Sequence, residues 1–379
     1  MFLETFSYRP ESGWSEAAFP PPSGKNTLII AFGAPELIDH PTPFDELRRA
    51  YPDANFLGCS TAGEIDGAEV NDGTLVVAVA SFADTVMKTI SAPIAGAAHS
   101  RRTGEALAAQ LDAAGLRAVL VLSDGLHVNG SELVKGLNSG LPAGTVVTGG
   151  LAGDGDRFQR TWVIQDGRPA THAVTAVGFY GSRLRVTHGS RGGWDTFGPE
   201  RHVTRSEGNV LYELDGKPAL ALYKEYLGER AAGLPATGLL FPLAIREQEG
   251  DHKQIVRTIL AIDETRQSMT FAGDIPEGFL AQLMKANFDR LVGGAHDAAL
   301  LAQGGDRATG PVLALAISCV GRRLVLGERI EEETEATLEN LPPGTRQIGF
   351  YSYGEISPYT SGSCELHNQT MTLTTYAED

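Results

Sequence analysis

The sequence has few cysteines and no long apolar segment, and these shortages exclude several classes of protein. Only three of its 379 residues are cysteines, Cys59, Cys319 and Cys364, and they form no C-x-x-C pair. A disulfide framework, a zinc ribbon and covalently attached c-type haem are therefore excluded. No segment approaches the roughly 18 consecutive apolar residues that cross a membrane, and residues 1–24 contain no apolar signal-peptide core. We therefore expect a cytoplasmic protein that does not enter membranes.

Basic residues are also scarce, because 31 lysines and arginines stand against 47 aspartates and glutamates, which gives a net charge of −16 at pH 7. A surface of this charge repels nucleic acid phosphates and anionic lipids. The sequence also lacks the Gly-x-x-x-x-Gly-Lys-Ser/Thr phosphate loop, the His-Glu-x-x-His zinc-protease string and the aspartate-rich calcium loop. We expect no nucleic acid partner and no metal site of these kinds. With 42% hydrophobic residues, the chain can bury the cores of two lobes.

A glycine-containing turn occurs three times along the chain. The strings GCSTAGEI (58–65) and GFYSYGEI (349–356) agree at both glycines, the glutamate and the isoleucine, and GGLAGD (149–154) is a shorter copy. Each copy follows an apolar segment, a helical segment, a proline turn and a second apolar segment. This pattern predicts a unit of strand, helix, strand, turn and strand. The sequence therefore predicts an α/β fold with mixed sheets in two related lobes built from this unit.

Changes of composition divide the chain into an arm and two lobes. A proline-rich stretch ends an N-terminal arm predicted over 1–26, and the first lobe is predicted over 27–200. Two copies of the unit belong to this lobe, which ends in a glycine-rich connector over 189–198. The second lobe, with the third copy, is predicted over 201–379.

The second lobe has its own predicted elements. A strand over 210–214 precedes a helix that begins at Pro218 and ends at Gly228. A three-stranded meander is predicted over 239–246, 255–262 and 268–273. The apolar spacing over 280–291 predicts a helix whose apolar stripe faces the core.

The order of these strings resembles one known family. The three turns, together with EGNVLYELDGKPAL (207–220) and ELHNQTMTL (365–373), are similar to the FIST family of intracellular sensory proteins over about residues 27–373. The resemblance implies a cytoplasmic module of bacterial signal transduction that binds a small molecule such as an amino acid, without enzyme activity.

The resemblance also implies partners and an alternative cofactor. Because the chain carries no recognisable kinase, receiver, cyclase or phosphodiesterase segment, we expect output through a separate protein, such as a histidine kinase of a two-component system or a cyclic-di-GMP enzyme. One branch of the family resembles haem proteins that report nitric oxide to such kinases. No cofactor is expected otherwise, and b-type haem is the alternative.

The repeated turns are the first candidate ligand site, with Glu64, Asp154 and Glu355 at equivalent strand ends. Glycine lets the backbone turn sharply after a buried strand and leaves room for a ligand. Carboxylates there disfavour a phosphate and favour an ammonium, a guanidinium or another N–H donor. This chemistry indicates an amino-acid-like or amine ligand. In the alternative interpretation, each carboxylate accepts hydrogen bonds from its own turn.

The residues before Glu64 are included in the candidate ligand site: Cys59, Ser60 and Thr61. Cys59 also allows a second alternative function, a cysteine-dependent enzyme, because a thiolate is activated by a nearby histidine or a helix N-terminus. No such partner lies near it in the sequence, and the glycine pattern of a nucleophile elbow is absent. A small cysteine also packs well at a buried strand end.

Three further residues complete the candidate site: Arg257, His367 and Asn368. Arg257 shares strand parity with isoleucines, so an inward arginine would pair with a turn carboxylate or a ligand, and an outward one would be a surface charge. His367 has the parity of apolar neighbours, so it either lines the ligand cavity beside Asn368 or is a hydrogen-bonded core histidine. We predict that the cavity lies where the turn carboxylates and the Arg257 strand converge.

The haem alternative has its own candidate ligand, His188. It ends an apolar strand face and precedes the connector that contains Trp194 and Phe197. An imidazole beside aromatic residues is what a b-type haem requires. The other interpretation is an ordinary strand histidine without a ligand.

Overall fold

The computed structural model describes residues 1–21, 26–250, 255–303, 310–358 and 363–379. Its strands are, in chain order, β1 (Phe2–Arg9), β2 (Gly13–Trp14), β3 (Thr27–Gly33), β4 (Asn55–Ser60), β5 (Glu64–Asp66), β6 (Glu69–Asn71), β7 (Leu75–Ser81), β8 (Val86–Pro93), β9 (Leu116–Ser123), β10 (Val146–Leu151), β11 (Val163–Gln165), β12 (Arg168–Ala170), β13 (Ala173–Tyr180), β14 (Leu184–Arg191), β15 (Trp194–Glu207), β16 (Val210–Leu214), β17 (Lys217–Pro218), β18 (Leu243–Arg246), β19 (Ile255–Arg257), β20 (Ile259–Asp263), β21 (Ser268–Phe271), β22 (Leu280–Ala286), β23 (Leu313–Cys319), β24 (Arg346–Ser352), β25 (Gly354–Pro358), β26 (Cys364–His367) and β27 (Met371–Glu378). Its α-helices are α1 (Thr42–Ala50), α2 (Ser100–Ala108), α3 (Gly130–Gly140), α4 (Ala219–Leu227), α5 (Phe288–Ala302), α6 (Val320–Leu326) and α7 (Ile330–Glu339). No helix of these described residues is long and apolar enough to cross a membrane.

Three copies of one unit build the core. In each copy a first strand (β3, β9 or β23) leads through helix to a second strand (β4, β10 or β24) that pairs parallel to it. A return strand (β7, β13 or β27) then pairs antiparallel on the other side of the first. The first strands lie in sheet centres and are almost entirely buried, which explains their uninterrupted apolar sequences. The mixed α/β fold class with a repeated unit is confirmed.

The three units exchange hairpins in a closed cycle. The β5–β6 hairpin of the first unit pairs with β24 of the third, and the β25–β26 hairpin of the third unit pairs with β10 of the second. The β11–β12 hairpin of the second unit pairs with β4 of the first. Each hairpin therefore covers the edge of another unit's sheet, so the three units depend on one another for complete sheets.

One glycine in each unit fixes the equivalence of the turns. An ideal Cβ on Gly58, Gly149 or Gly349 would lie 2.0, 1.8 or 1.8 Å from a carbonyl oxygen of the first strand beside it. Only glycine fits these positions, because the backbones of the two parallel strands approach too closely for a side chain. The prediction that the three glycine turns occupy corresponding places is therefore confirmed for their glycines.

The predicted equivalence of Asp154 with Glu64 and Glu355 is wrong. In the sheet register Glu64 lies opposite Phe350, the residue after Gly349. Glu355 lies opposite Gly150, the residue after Gly149. In the second unit the residue at this position is Val163, which lies opposite Cys59. Asp154 belongs to a longer segment between β10 and β11. Asp154, the acidic residue that follows Gly153 in the second copy, therefore belongs to an insertion.

A fourth sheet stands apart from the three units, in the order β19-β18-β22-β15-β16-β21-β20, with β17 beside β16. The predicted strand over 210–214 and the helix after it are confirmed as β16 and α4. The predicted three-stranded meander over 239–246, 255–262 and 268–273 is wrong, because β19 and β20, which both fall in its middle segment, lie at opposite ends of this sheet. Strand β15 crosses residue 200, and the division into lobes at that residue stays a prediction.

The predicted helix over 280–291 is also wrong. Residues 280–286 form strand β22, which pairs with both β15 and β18. Helix α5 begins at Phe288, after Asn287, whose side chain accepts a hydrogen bond from the backbone N–H of Arg290. Seven residues of mixed apolar spacing fit both periodicities, and pairing with two neighbouring strands decided the outcome.

Candidate functional site

A cleft of about 690 Å³ lies where the three units meet, and we call it the junction cleft. The first unit contributes the turn over 61–64, the second contributes 154–157 of its insertion, and the third contributes α6. Of the predicted site residues, Thr61, Glu64 and Asp154 line it. Another cleft of the same volume, beside Arg48 and Arg168, contains none of the predicted residues.

Arg323 is the central charged group of the junction cleft. Its Nη1 and Nη2 donate to the two carboxylate oxygens of Asp72 at 2.9 and 2.6 Å, and Nη1 also donates to the carbonyl of Ala62. An ideal Cβ on Gly63, which has φ +131°, would lie 2.6 Å from Nη1. The glycine of the first turn therefore leaves room for a guanidinium of the third unit.

The position of α6 is fixed by the neighbouring Arg322. Its side chain is fully buried; Nε donates to Glu333 at 2.7 Å and Nη2 to the carbonyl of Leu291 at 2.7 Å. A buried arginine requires such partners. Arg322 thus anchors the helix from which Arg323 reaches into the cleft.

A second arginine, Arg157, lies at the other side of the junction cleft. It forms an ion pair with Glu36, and its Nε donates to the carbonyl of Asp154 at 2.6 Å. Asp156 is exposed beside it. The junction cleft thus presents two guanidinium groups and several carboxylates that lie within reach of solvent.

Glu64 lines the junction cleft, but its carboxylate is bound by its own unit. Thr61 Oγ1 donates to Oε1, and the backbone N–H and hydroxyl of Thr74 donate to Oε2 at 3.0 and 2.8 Å. Only 1% of the residue is exposed. Burial raises the pKa of Glu64 to about 7.

Glu355 repeats this arrangement in the third unit. The hydroxyl of Ser352 donates to Oε1 at 2.7 Å, and the N–H and hydroxyl of Thr370 donate to Oε2 at 3.1 and 2.8 Å. Burial raises the pKa of Glu355 to about 8. Glu355 lines neither the junction cleft nor the other clefts described here. Two equivalent carboxylates with the same partners support the structural interpretation, in which each one ties the turn to the return strand.

Asp154 also serves its own segment. It accepts a hydrogen bond from the hydroxyl of Tyr353 and bonds of 2.8 Å from the backbone N–H groups of Gln159 and Arg160. Its side chain is buried, with 1% of the residue exposed. Asp154 therefore shapes the wall of the junction cleft, whereas Asp156 and Arg157 supply exposed charge.

Cys59 and Ser60 do not line the junction cleft. Cys59 is fully buried in β4, and burial raises the pKa of its thiol well above the usual range. A neutral, inaccessible thiol is a poor nucleophile. Ser60 exchanges hydrogen bonds with Trp162, through its N–H at 2.9 Å and its hydroxyl at 3.1 Å, and so fixes the exchanged hairpin on β4.

Arg257 points inward, but its guanidinium forms its hydrogen bonds with groups other than the carboxylates of the turns. Its guanidinium donates to the carbonyls of Asp274 and Leu366 at 3.0 and 3.2 Å and to the hydroxyl of Ser131 at 3.3 Å. Burial lowers its pKa to about 10. It lines a different cleft, of about 310 Å³. The predicted convergence of the turns with the Arg257 strand is therefore wrong, since the two belong to separate clefts.

His367 and Asn368 line a fourth cleft, of about 190 Å³. His367 lies opposite Glu355 in the β25–β26 hairpin, but its Nε2 donates to the carbonyl of Ser357 at 2.9 Å. The Asn368 amide donates to the carbonyl of Tyr353 at 3.3 Å. These bonds are those of hydrogen-bonded core side chains.

The surroundings of His188 do not fit a b-type haem. The residue is half-buried on β14, burial lowers the pKa of its imidazole, and it lines none of the clefts described above. Trp194 donates its indole N–H to the carbonyl of Gln369 at 3.1 Å, whereas Phe197 packs towards Phe241 in another cluster. The two aromatic residues therefore do not enclose one cavity beside the imidazole.

Comparison with known proteins identifies the family. The FIST N domain model matches residues 27–217, and the FIST C domain model matches residues 219–358. An uncharacterized protein of Mycobacterium tuberculosis is 27% identical over 271 residues, which are 68% of each chain. An uncharacterized protein of Methanocaldococcus jannaschii is 25% identical over 279 residues, 66% of this chain and 52% of that protein. A cyanuric acid hydrolase of A. caulinodans aligns over 93% of this chain and 89% of its own at 8% identity, but its TM-score of 0.34 supports no conclusion.

Proposed function

Because this chain belongs to the FIST family, we propose that it is a cytoplasmic sensor module that binds a small amino-acid-like or amine ligand in the junction cleft. FIST domains are sensor domains of signal transduction. The proposal adds the ligand class and the site. It also assigns the output to a separate signalling protein, such as a histidine kinase or a cyclic-di-GMP enzyme.

The observation that carries the proposal is the charge arrangement around Arg323. The Asp72 side chain is 74% exposed, and that of Arg323 is 23% exposed. An ion pair of this kind contributes little stability, so another carboxylate can replace Asp72 at small cost. The planar guanidinium binds a carboxylate through two parallel bonds. The carboxylate of an amino acid fits this position, and its ammonium group then finds Asp72 and Asp156 nearby in the same cleft.

The junction cleft also provides a route to a signal. Its walls belong to three units, so a ligand that bridges them stabilises one relative arrangement of the turn over 61–64, the segment over 154–157 and α6. A ligand shifts a conformational equilibrium by its difference in affinity for the two states. A partner protein that contacts the surface near α6 would detect this difference.

A role without catalysis agrees with the chemistry of the site. Cys59 is buried and its thiol is neutral, and the carboxylates of Glu64 and Glu355 accept hydrogen bonds from Thr74 and Thr370, just before the return strands. None of these groups is positioned to attack a bound molecule. We therefore propose binding without turnover.

The proposal is tested by calorimetric titration of the full chain with a panel of amino acids and simple amines. Arg323→Gln removes the guanidinium, and Arg329→Gln is the matched control, because Arg329 is paired with Glu332 and Asp289 outside the junction cleft. We expect Arg323→Gln to weaken binding roughly tenfold or more, since a charge-assisted bond contributes about 1.5–3 kcal/mol. The control should bind as the unchanged chain does. Equal affinity in both variants, or no binding by any compound of the panel, would overturn the proposal.

A further inference from the structure

A cluster of metal-binding side chains lies outside the junction cleft, at the end of β9 and the start of β13. Asp124, His127 and His172 each offer one ligand atom, a carboxylate oxygen or an imidazole nitrogen, and these three atoms lie within 4.8 Å of one another. Nδ1 of His127 is 3.1 and 3.2 Å from the two carboxylate oxygens of Asp124. The two imidazole rings touch, with their centroids 4.0 Å apart.

The local backbone holds these side chains in place. Asp124 is 1% exposed, and its Oδ1 accepts hydrogen bonds from the backbone N–H groups of Leu126 and His127 at 2.8 and 2.7 Å. Its Oδ2 accepts a longer bond of 3.4 Å from the N–H of His172. Both imidazoles are exposed. The carboxylate is therefore fixed, and the side of the cluster formed by the rings is open to solvent.

The other two units show that the fold does not require these residue types. The N–H of Asp124 donates to the carbonyl of Ala173, and the equivalent bonds join Ala34 to Thr74 in the first unit and Cys319 to Thr370 in the third. The residue just before the acceptor has a positive φ in each unit, and in the second unit this residue is His172, at φ 54°. In the first unit, the positions of Asp124, His127 and His172 are occupied by Ala34, Leu37 and Gly73. In the third unit they are occupied by Cys319, Arg322 and Gln369. Only the second unit has three metal-binding side chains at these places.

We propose that Asp124, His127 and His172 bind one divalent transition metal ion of the Zn²⁺ class, with water as the fourth ligand. Two imidazoles and a carboxylate are ligands that Zn²⁺ accepts, and three protein ligands with an open position are typical of a water-bearing site. Ligands at bond lengths of about 2.0–2.1 Å in a tetrahedron lie roughly 3.3 Å apart. The distances between His127 Nδ1 and Asp124 already match this separation, so the ion would replace the proton between them.

The site is separate from the proposed ligand site, because none of its three ligands lines the junction cleft. A bound ion would join the end of β9 to the start of β13 and so stabilise the folded chain. Metal binding to the native state stabilises it in proportion to the logarithm of the ion concentration over Kd. The proposal therefore has two readouts, the affinity for the ion and the thermal midpoint.

The experiment uses the full chain after dialysis against a chelator. Zn²⁺ is titrated by calorimetry, and Co²⁺ is added as a spectroscopic probe, because its visible absorption reports tetrahedral nitrogen and oxygen ligands. The variants are His127→Asn and His172→Asn, since asparagine tolerates the left-handed backbone at residue 172. His202→Asn is the control, because His202 is an exposed histidine on β15 of the fourth sheet. Asp124→Asn is avoided because its carboxylate also holds the turn.

We expect one ion per chain in the unchanged protein and in His202→Asn, with a higher thermal midpoint when Zn²⁺ is present. Loss of a ligand should weaken binding at least as much as loss of an outer-shell partner, about 10–100-fold, and remove the rise in the midpoint. Thermal melts without metal confirm that each variant folds, and His127→Asn decides the matter if His172→Asn is unstable. Equal Zn²⁺ affinity in all four proteins, or no saturable binding, would overturn the proposal.

Discussion

The equivalent buried carboxylates predict that the chain loses stability as the pH rises through neutrality. Burial raises the pKa of Glu64 to about 7 and that of Glu355 to about 8, from an ordinary value of 4.5. A group with a raised pKa in the folded state contributes its full stability below its unfolded pKa and loses it as the pH rises through the folded value. The decline should therefore begin above about pH 4.5 and be complete only above pH 8.

The structure also sets the magnitude. Each pH unit between the ordinary and the raised pKa corresponds to about 1.4 kcal/mol, so ionisation costs roughly 3–4 kcal/mol for Glu64 and roughly 4–5 kcal/mol for Glu355. Folded proteins commonly have only about 5–15 kcal/mol of stability, so the effect is large enough to measure. Glu→Gln keeps the shape of each side chain and cannot ionise. Each variant should therefore lose less unfolding free energy than the unchanged chain as the pH rises. The difference should be larger for Glu355→Gln than for Glu64→Gln.

The assay is the urea midpoint of unfolding at pH 5 to 9, followed by tryptophan fluorescence and by circular dichroism. Glu64→Gln, Glu355→Gln and the unchanged chain are compared with Glu11→Gln, an exposed control. Above pH 8 both buried-site variants should be at least as stable as the unchanged chain, whereas Glu11→Gln should follow the unchanged chain throughout. The reasoning is refuted if the midpoint of the unchanged chain stays flat or rises from pH 5 to 8, or if both buried-site variants show the same decline as the control.

Two other predictions concern the shared turns. Gly349→Ala should prevent normal folding, because its Cβ would lie 1.8 Å from the carbonyl oxygen of Ala316. The control Gly293→Ala on α5, whose Cβ meets nothing within 4 Å, should stabilise the chain by about 0.5–1 kcal/mol. Expression and urea unfolding of the two variants check this, and a normally folded Gly349→Ala would contradict it. Cys59 should react with an aromatic disulfide reagent only after denaturation, because it is fully buried and its pKa is raised; fast labelling of the native chain at this residue would instead favour the cysteine-dependent enzyme.

Much of the fold could be predicted from local patterns. The apolar first strands, buried on both faces, give uninterrupted runs, and the tightly spaced strand pairs require Gly58, Gly149 and Gly349. The repeated unit and the FIST family follow from these features. Between residues 280 and 291 the apolar pattern predicts a helix wrongly, because a short pattern fits a strand and a helix equally. Pairing on both edges of β22 stabilises the strand.

The candidate site was predictable only in part. The sequence marked the turn that contains Thr61 and Glu64, but it could not indicate that Arg323 and Asp72 complete the cleft, since no local signal joins residues so far apart in the chain. Nor could it distinguish a carboxylate that binds a ligand from one that ties its turn to a return strand. That distinction depends on the hydroxyl groups that surround each carboxylate after folding.

The sequence by itself thus determined the repeated unit, because close backbone contacts and buried strands restrict residue types wherever they occur. The tertiary structure alone decided which residues meet. The units exchange hairpins in a cycle, and the junction cleft is therefore built from parts of all three units. Of the equivalent carboxylates, Glu64 lines this cleft and Glu355 does not. The charge of the junction cleft arises from this assembly of three units. The cluster of Asp124 with His127 and His172 arises within the second unit, whose fold brings the end of β9 to the start of β13.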